Sequence, residues 1–242
     1  MRSLFFVVLV FMLVVSCQQK KRSEKEEKRS TQKSLYQRSI EDTYNFESYQ
    51  QKKNVALELQ LINDDTVDVQ IYLQPDNSLK LVKKDDESLY ITNDRIYEKP
   101  VGSFGRQEVD LYQKLVQAYL IPYQLSKFSM TKATDTLPID KNITLERSFD
   151  LKGGNDMTLF LSPKTNLIRS VAFKDGTGKS YLSFERYITV KQIPISMHWA
   201  IYKDSIIDQE AVVRVEVKKI SYPEGLAFDL ELPETAKPIQ NK

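Results

Sequence analysis

Alternating apolar and polar positions predict β-strands through much of the chain. Between residues 55 and 61 every second residue is apolar, and the same alternation returns between residues 67 and 73. A period of two places alternate side chains on one face of a strand, and the polar residues 63–65 between the two runs are typical of a turn. We therefore expect a β-hairpin. Shorter strands are expected after it at residues 79–83, 89–92 and 95–98.

Two segments follow the period of an α-helix instead. Apolar and aromatic residues recur at near-helical spacing from Leu35 to about Tyr49, and at steps of three and four between Gln107 and Tyr119. Such spacing places them on one side of a helix. Pro122 predicts the end of the second helix, because proline has no backbone N–H to continue the hydrogen bonding. We expect a short amphipathic helix entering the fold and a longer one near its middle.

The second half of the chain returns to the strand pattern. After a loop-like stretch that contains Pro138, the turns at residues 153–156, 163–166 and 175–178 each contain glycine, asparagine or aspartate, which tolerate positive φ. This half therefore reads as an antiparallel meander, and the fold class as α+β. Its strands are predicted at residues 143–151, 157–161, 168–173, 180–190, 195–202 and 211–220.

The N-terminus is organised like that of an exported lipoprotein precursor. Arg2 precedes an apolar run from Leu4 to Val15, which has the length of a signal-peptide core and is shorter than the roughly 20 residues of a transmembrane helix. Val-Val-Ser-Cys at residues 14–17 matches the lipobox of bacterial lipoproteins, and Cys17 is the only cysteine. We expect cleavage after residue 16 and acyl chains, palmitate among them, on Cys17. The alternative is an ordinary secretory signal.

The remaining chain divides by composition into a tether and a domain. Residues 18–34 contain no apolar side chain, so residues 17–34 are predicted to be the lipidated cysteine and a solvated tether, and residues 35–242 a single β-rich domain. The 35 basic and 33 acidic residues give a net charge of only +2. With the basic residues scattered among strands, we expect no nucleic-acid partner.

Short motifs follow one another in a distinctive order. Residues 161–166 read Leu-Ser-Pro-Lys-Thr-Asn, residues 183–187 Ser-Phe-Glu-Arg-Tyr, residues 193–195 Ile-Pro-Ile and residues 228–233 Phe-Asp-Leu-Glu-Leu-Pro. This order resembles the C-terminal half of periplasmic lipoprotein carriers of the LolA/LolB type. Residues 90–97, followed by the predicted long helix, resemble the central hairpin of that family. The lipobox places the chain nearer to LolB and other lipidated members than to the soluble LolA.

The resemblance implies a strongly curved, half-open antiparallel sheet with helices covering its concave face. Between them an apolar cavity would receive the acyl chains of a lipid or lipoprotein, with burial of hydrocarbon as the source of affinity. The alternative is that the same inward-facing side chains form an ordinary packed core. The candidate ligand-binding residues are Leu57, Leu59, Val69, Ile71, Leu115, Tyr119, Leu159, Leu161, Phe173, Phe184 and Trp199.

Phe104 is a candidate membrane contact. It is the one aromatic residue of the Gly-Ser-Phe-Gly stretch at residues 102–105, and the LolB resemblance implies a hydrophobic loop residue that enters the bilayer. The sequence favours the alternative, in which the ring folds back over the core.

Catalysis and metal binding find little support. His198 is the only histidine, and it is predicted on the strand face opposite Trp199, where it would be solvated. A zinc site lacks ligands. Asp64, Asp65 and Asp68 lack the glycine and terminal glutamate of a calcium-binding loop, so they indicate a turn. We expect neither an enzyme nor a cofactor.

Two function classes remain. The first is an envelope module that binds lipid or lipoprotein acyl chains, and the resemblance favours it. The second is a structural or interaction lipoprotein, an accessory subunit of a cell-envelope complex with a protein partner. Gln18 follows the cysteine where an aspartate would retain many Gram-negative lipoproteins in the inner membrane. We expect a lipid-anchored protein of the outer membrane that faces the periplasm.

Overall fold

The computed structural model describes residues 35–74, 79–92, 95–132, 147–152, 157–175, 178–204, 210–224 and 230–239. The chain divides into two compact units, Met1–Ser39 and Ile40–Lys242. Of the first unit only residues 35–39 are described, and they are helical. The predicted leader, Cys17 and the tether lie outside the described residues, as do Pro138 and the predicted start of a strand at residues 143–146.

A single antiparallel sheet organises the unit Ile40–Lys242. In the described residues it has 13 strands in the order β13-β5-β4-β3-β2-β1-β12-β11-β10-β9-β8-β7-β6. The strands are β1 (Val55–Ile62), β2 (Thr66–Leu73), β3 (Lys80–Lys84), β4 (Glu87–Ile91), β5 (Ile96–Lys99), β6 (Ser129–Lys132), β7 (Arg147–Lys152), β8 (Met157–Leu161), β9 (Ile168–Asp175), β10 (Gly178–Val190), β11 (Ile193–Lys203), β12 (Val213–Ser221) and β13 (Lys237–Pro238).

The order of the strands explains why the connection between β5 and β6 crosses the sheet. The chain begins in the middle at β1 and winds outward to β5. It resumes at the opposite edge with β6 and winds back to β12, which pairs with β1. The connection from β5 to β6 therefore has to pass over one face, and it contains helix α3 (Arg106–Leu120) and two 3₁₀ turns, η1 (Ile121–Tyr123) and η2 (Leu125–Lys127).

The sheet is apolar on the face that the helices cover. Leu57 pairs with Ile71, and Leu59 pairs with Val69 on one side and Val217 on the other. These side chains are almost completely buried, as the period-two pattern predicts. The opposite face carries two smaller apolar clusters, one of Leu79, Leu81, Tyr90, Leu230 and Ala236 and one of Phe160, Ala172 and Tyr181. The fold is the curved, half-open antiparallel sheet expected from the sequence, with helices on its concave face.

The predicted N-terminal helix is present but broken. Residues 35–43 form helix α1, and Phe46–Gln50 forms helix α2. Between them Asn45 adopts a left-handed conformation with φ of 49°, and its side-chain oxygen accepts a hydrogen bond from the Ser48 N–H at 3.3 Å. Asparagine both tolerates this conformation and caps a helix. The break turns the chain, so that Tyr44 and Tyr49 are both buried.

An ion pair fastens the start of α3 to the sheet. The Glu108 carboxylate accepts hydrogen bonds from the Gly105 N–H at 3.0 Å and from Lys84 Nζ on β3 at 2.8 Å. Partial burial disfavours the charge on Glu108, but Lys84 and the Gly105 N–H outweigh it and hold the pKa of Glu108 below its usual value. The same contact both caps α3 and docks it.

Two strands differ from the sequence predictions. Strands β6 and β13 were not predicted, because β6 has one buried residue, Met130, among exposed neighbours and β13 is two residues long. Helix α3 ends at Leu120, before Pro122, as predicted, and the 3₁₀ turn η1 follows with Pro122 in its first turn. Proline is accepted there since the first turn of a helix needs no partner for its N–H.

Truncation of Leu57 to alanine should lower the free energy of unfolding by about 2–5 kcal/mol, because it removes a fully buried side chain from the centre of the sheet. Urea unfolding monitored by circular dichroism measures this. The matched control is Leu232→Ala, whose side chain is 38% exposed and should cost less than about 1 kcal/mol. Equal losses in the two variants would contradict the assigned core.

Candidate ligand cavity

A cavity lies where the C-terminal end of α3 and η1 meet the sheet. Its volume is about 30 Å³, and its wall is almost entirely apolar or aromatic. Helix α3 and η1 contribute one wall, β9 to β11 contribute the other, and Tyr44 closes one side. The lining residues are Tyr44, Ala118, Tyr119, Pro122, Tyr123, Ile168, Phe184, Tyr187, Pro194, Ile195, Ser196 and Trp199.

The cavity is too small for an acyl chain in the conformation observed. One water molecule needs roughly 10–15 Å³ of such space, so 30 Å³ has room for about two. A chain of a dozen carbons therefore requires the covering helix and the sheet to separate.

Three of the predicted ligand-binding residues line this cavity, namely Tyr119, Phe184 and Trp199. The other eight are buried in the same unit without reaching its wall, so a direct role in binding stays a prediction for them. They are Leu57, Leu59, Val69, Ile71, Leu115, Leu159, Leu161 and Phe173.

Phe184 and Trp199 form the floor of the cavity. They are direct partners on β10 and β11, and their rings meet edge to face with centroids 5.7 Å apart. The Trp199 indole N–H donates to the Ser196 carbonyl at 2.9 Å, which satisfies its polar atom and fixes the ring. The floor is thus a rigid aromatic surface.

A hydrogen-bonded tyrosine pair forms one end of the cavity. The hydroxyls of Tyr44 and Tyr187 lie 3.0 Å apart. Tyr187 donates to the Ile168 carbonyl at 2.5 Å, and Tyr44 accepts from the Ile168 N–H at 2.9 Å. Both hydroxyls are therefore satisfied, and they tie the helical N-terminal segment to the start of β9.

A second group of tyrosines lies on the other side of Tyr123. The rings of Tyr49 and Tyr123 stack with centroids 3.7 Å apart, and Tyr119 lies 6.4 Å from Tyr49 and 5.9 Å from Tyr123. Tyr222, which follows β12, is near enough to these three residues to influence their ionisation. We call Tyr49, Tyr119, Tyr123 and Tyr222 the tyrosine cluster.

Three hydroxyls of the tyrosine cluster are buried without a hydrogen-bond partner among the described residues. They belong to Tyr49, Tyr119 and Tyr222. The hydroxyls of Tyr119 and Tyr222 are close enough to influence each other's ionisation, but their geometry falls short of a hydrogen bond. An unpaired buried hydroxyl costs about 1–3 kcal/mol, so these hydroxyls lower the stability of the core.

Sequence reasoning missed most of the tyrosines. Only Tyr119 was among the predicted ligand-binding residues. Tyr44 was assigned to an amphipathic helix, and Tyr187 stood in the motif that carries the family resemblance. The content of 13 tyrosines was the available signal, but the pairs meet across large separations, such as 143 residues between Tyr44 and Tyr187.

A second, smaller cavity lies on the other side of the tyrosine cluster. It has a volume of about 10 Å³ and is lined by Tyr49, Gln50, Leu73, Gln74, Lys80, Leu120, Tyr123 and Gln124. Burial and the nearby Lys127 lower the pKa of Lys80. Tyr123 belongs to the walls of both cavities, so the tyrosine cluster lies between an apolar space and a more polar one.

Phe104 packs against the protein. Its side chain is 7% exposed, and its ring meets Tyr112 of α3 edge to face at 5.9 Å. The buried Glu98 carboxylate accepts hydrogen bonds from the Gly102 N–H at 2.7 Å and the Phe104 N–H at 3.2 Å. This is the folded-back arrangement that the sequence favoured, and the ring presents no surface to a membrane in this conformation.

The described residues offer no metal site. They contain no group of three or more histidine, cysteine, aspartate or glutamate side chains placed to hold an ion. His198 lies opposite Glu185 and Glu216 on its neighbouring strands, and its Nε2 lies 3.4 Å from Nη1 of Arg186. Among the described helices none combines the length and apolar character needed to cross a membrane.

The buried tyrosines predict a loss of stability at alkaline pH. Burial raises the pKa of Tyr44 and of Tyr222 from 10.0 to about 12, and it raises the pKa of Tyr119, Tyr123 and Tyr187 well above 10.0. Above pH 10 the unfolded chain releases these protons while the folded chain keeps them, so the free energy of unfolding falls as pH rises from about 10 to about 12.

Urea unfolding across this pH range measures the effect, and tyrosinate absorbance monitors ionisation in parallel. We expect the buried tyrosines to ionise together with unfolding. Complete ionisation near pH 10 in a chain that keeps its circular dichroism spectrum would contradict the assigned burial.

Comparisons with known proteins agree on the fold. No protein-family model and no curated protein sequence matches the chain. Among solved structures, a DUF1329 family protein from Desulfovibrio piger ATCC 29098 is 9% identical with a TM-score of 0.55, over 78% of this chain and 93% of that one. A LolA superfamily protein from Nitrosomonas europaea is 9% identical with a TM-score of 0.52, over 81% of this chain and 95% of that one. The resemblance seen in the sequence motifs is thus confirmed in three dimensions, and the chain has the fold of LolA superfamily proteins.

Proposed function

We propose that this chain is a membrane-anchored periplasmic lipoprotein that binds the acyl chains of a lipid or lipoprotein between α3 and the concave face of its sheet. The observation that carries the proposal is the aromatic cavity at the junction of α3, η1 and the sheet. The shared fold with LolA superfamily proteins supports the same reading. Such a protein serves lipoprotein localisation or lipid transport.

Binding requires the cover formed by α3 and η1 to separate from the sheet. The cavity of about 30 Å³ must expand to take a chain, and the exposed wall would be apolar. An acyl chain of about a dozen carbons offers on the order of 10 kcal/mol at about 0.8 kcal/mol per CH₂. Part of this free energy offsets the loss of the contacts between α3 and the sheet. The ligand then substitutes for the helix on the apolar face.

The anchor in this proposal is Cys17. The lipobox at residues 14–17 and the apolar run before it support export and acylation. The polar tether that follows gives the domain a reach of roughly 20–25 Å from the bilayer, the average span of a flexible chain of its length. Gln18 supports the outer membrane as the site of attachment, with the domain facing the periplasm.

Phe104 would contact the membrane only after leaving Tyr112. Its ring is buried, and its backbone is held by Glu98. Attachment is therefore assigned to the acyl chains of Cys17. In the conformation observed, Phe104 is not available for contact with the membrane.

Trp199 provides a direct reporter of the cavity, because it is the only tryptophan in the chain. We expect a brominated fatty acyl chain to quench the fluorescence of residues 17–242 carrying Cys17→Ser, since heavy-atom quenching requires contact with the indole. Ala118→Leu adds volume inside the cavity wall. It should raise the concentration of acyl chain needed for half-maximal quenching by about tenfold or more, and a tenfold loss of affinity corresponds to about 1.4 kcal/mol.

The matched control is Ala200→Leu, which adds the same volume on β11 at a position between Ser183 and Arg214, outside the cavity. The brominated chain should quench the fluorescence of this variant as it does that of the unmodified chain. Thermal melting of both variants shows whether each is folded. Absence of quenching in the unmodified chain, or equal quenching in both variants, would contradict binding at this cavity.

Replacement of Cys17 by serine, with residues 1–16 exchanged for a secretory signal that is cleaved without a lipobox, should release the protein from membranes, because it removes the acceptor of the acyl chains. Fractionation of envelopes from cells that express either form, together with metabolic labelling by palmitate, measures the effect. Cys17→Ser protein that still sediments with membranes at high salt would show that the anchor lies elsewhere.

The small volume of the cavity favours a second candidate function, an interaction lipoprotein within a cell-envelope complex. A packed core and a partner-facing surface would suffice for it. The bromine-quenching experiment separates the two functions, because an interaction subunit has no reason to place an acyl chain against Trp199.

A further inference from the structure

We propose that the hydroxyls of Tyr49, Tyr119 and Tyr222 form a polar subsite that binds the carbonyl oxygen of an acyl ester or amide. The proposal rests on the acyl-binding function and deepens it, because it names the part of the ligand that the interior recognises besides hydrocarbon. The ligand is then an acylated molecule whose carbonyl enters the protein with its chain.

The three residues come from separate elements that meet at one point. Tyr49 belongs to α2, Tyr119 to α3, and Tyr222 follows β12. Their side chains are 1%, 6% and 5% exposed. Tyr119 lies on the wall of the apolar cavity and Tyr49 on the wall of the smaller one. A chain seated on Phe184 and Trp199 would therefore reach Tyr119, the member of the three that lines the same cavity.

The hydroxyls of Tyr44 and Tyr187, at one end of the apolar cavity, are satisfied within the protein. That pair shares a hydrogen bond and uses both backbone groups of Ile168. In the same unit, the hydroxyls of Tyr49, Tyr119 and Tyr222 have no partner among the described residues. Buried polar groups are almost always paired, so three orphans in one place are unusual.

The chemistry of the hydroxyls selects a neutral acceptor. Burial raises the pKa of all three tyrosines, so each keeps its proton and can donate it. A carbonyl oxygen has two lone pairs and can accept from two donors. A carboxylate would bring an unscreened charge into the interior, which is far more costly than a neutral oxygen.

The test compares two probes with the same number of non-hydrogen atoms, methyl laurate and pentadecane, delivered to residues 17–242 carrying Cys17→Ser. Binding is measured by native mass spectrometry and Trp199 fluorescence. Tyr119→Phe combined with Tyr222→Phe should weaken methyl laurate by about tenfold, the size expected for a lost hydrogen bond. Pentadecane should bind the variant as it binds the unmodified chain. Tyr181→Phe, on the other face of the sheet, is the matched control and should change neither probe.

Stability gives an independent readout. Because the hydroxyls have no partner, the Tyr119→Phe and Tyr222→Phe chain without ligand should melt at the same temperature or higher. Tyr187→Phe should melt lower, because it breaks two hydrogen bonds. A melting temperature that falls in both would show that the cluster hydroxyls are already satisfied, and this would overturn the proposal.

The outcomes separate this inference from the acyl-binding function. If both probes bind and the double variant affects them equally, the carbonyl subsite is wrong while acyl binding stands. If neither probe binds, the acyl-binding function itself fails. Competition by a triacylated lipopeptide in one arm and by phosphatidylethanolamine in another identifies which source of the acyl carbonyl the site accepts.

Discussion

The fold depends on covering one apolar face of an open sheet. The residues from Val69 through Leu59 to Val217 run across three strands without a polar interruption, and a face of this kind is stable only when another element removes it from water. The chain supplies that element through topology, because β5 and β6 lie toward opposite ends of the sheet and α3 must cross between them. Structure and proposed function share this constraint, since what covers the face is also what a ligand has to replace.

Several of the side chains that cover the apolar face are tyrosines. The helical segments contribute the phenol rings of Tyr44, Tyr49, Tyr119 and Tyr123. These rings lie near Tyr187 of β10 and near Tyr222, which follows β12. A tyrosine ring adds apolar area but carries a hydroxyl that needs a partner. One pair finds it on Ile168, and three hydroxyls find none within the part of the chain that the structure describes. Phenylalanine at those three positions would avoid the unpaired hydroxyls, and this is why we propose a binding role for them.

Much of the fold could be predicted from local periodicity. The hairpin of β1 and β2, helix α3 and the strands β8 to β12 all followed from side chains repeating every two or every three to four residues. Periodicity shows which residues share a face but not which strands are neighbours, so the pairing of β1 with β12 had no local signal. It also fails for short or exposed elements such as β13.

The site was predicted less well for the same physical reason. Phe184 and Trp199 were found because they are inward residues of adjacent strands. Ala118, Tyr123 and Ile195 were missed, because the wall of a cavity is defined by where two elements fail to touch. Leu57 and Ile71 had the same inward pattern and proved to be closely packed. Packed and ligand-lined faces have the same alternation, so only three-dimensional contacts separate them.

The central claim is that an acyl chain replaces the helical cover on the apolar face. Native mass spectrometry with lipid extraction tests it most directly, on residues 17–242 carrying Cys17→Ser, exported behind a cleavable secretory signal and purified from the periplasm. The account predicts a co-purifying acyl ester or amide at one molecule per chain, lost in Ala118→Leu and retained in Ala200→Leu. A folded protein that carries no lipid and takes up none when it is supplied would contradict the account and favour an interaction subunit.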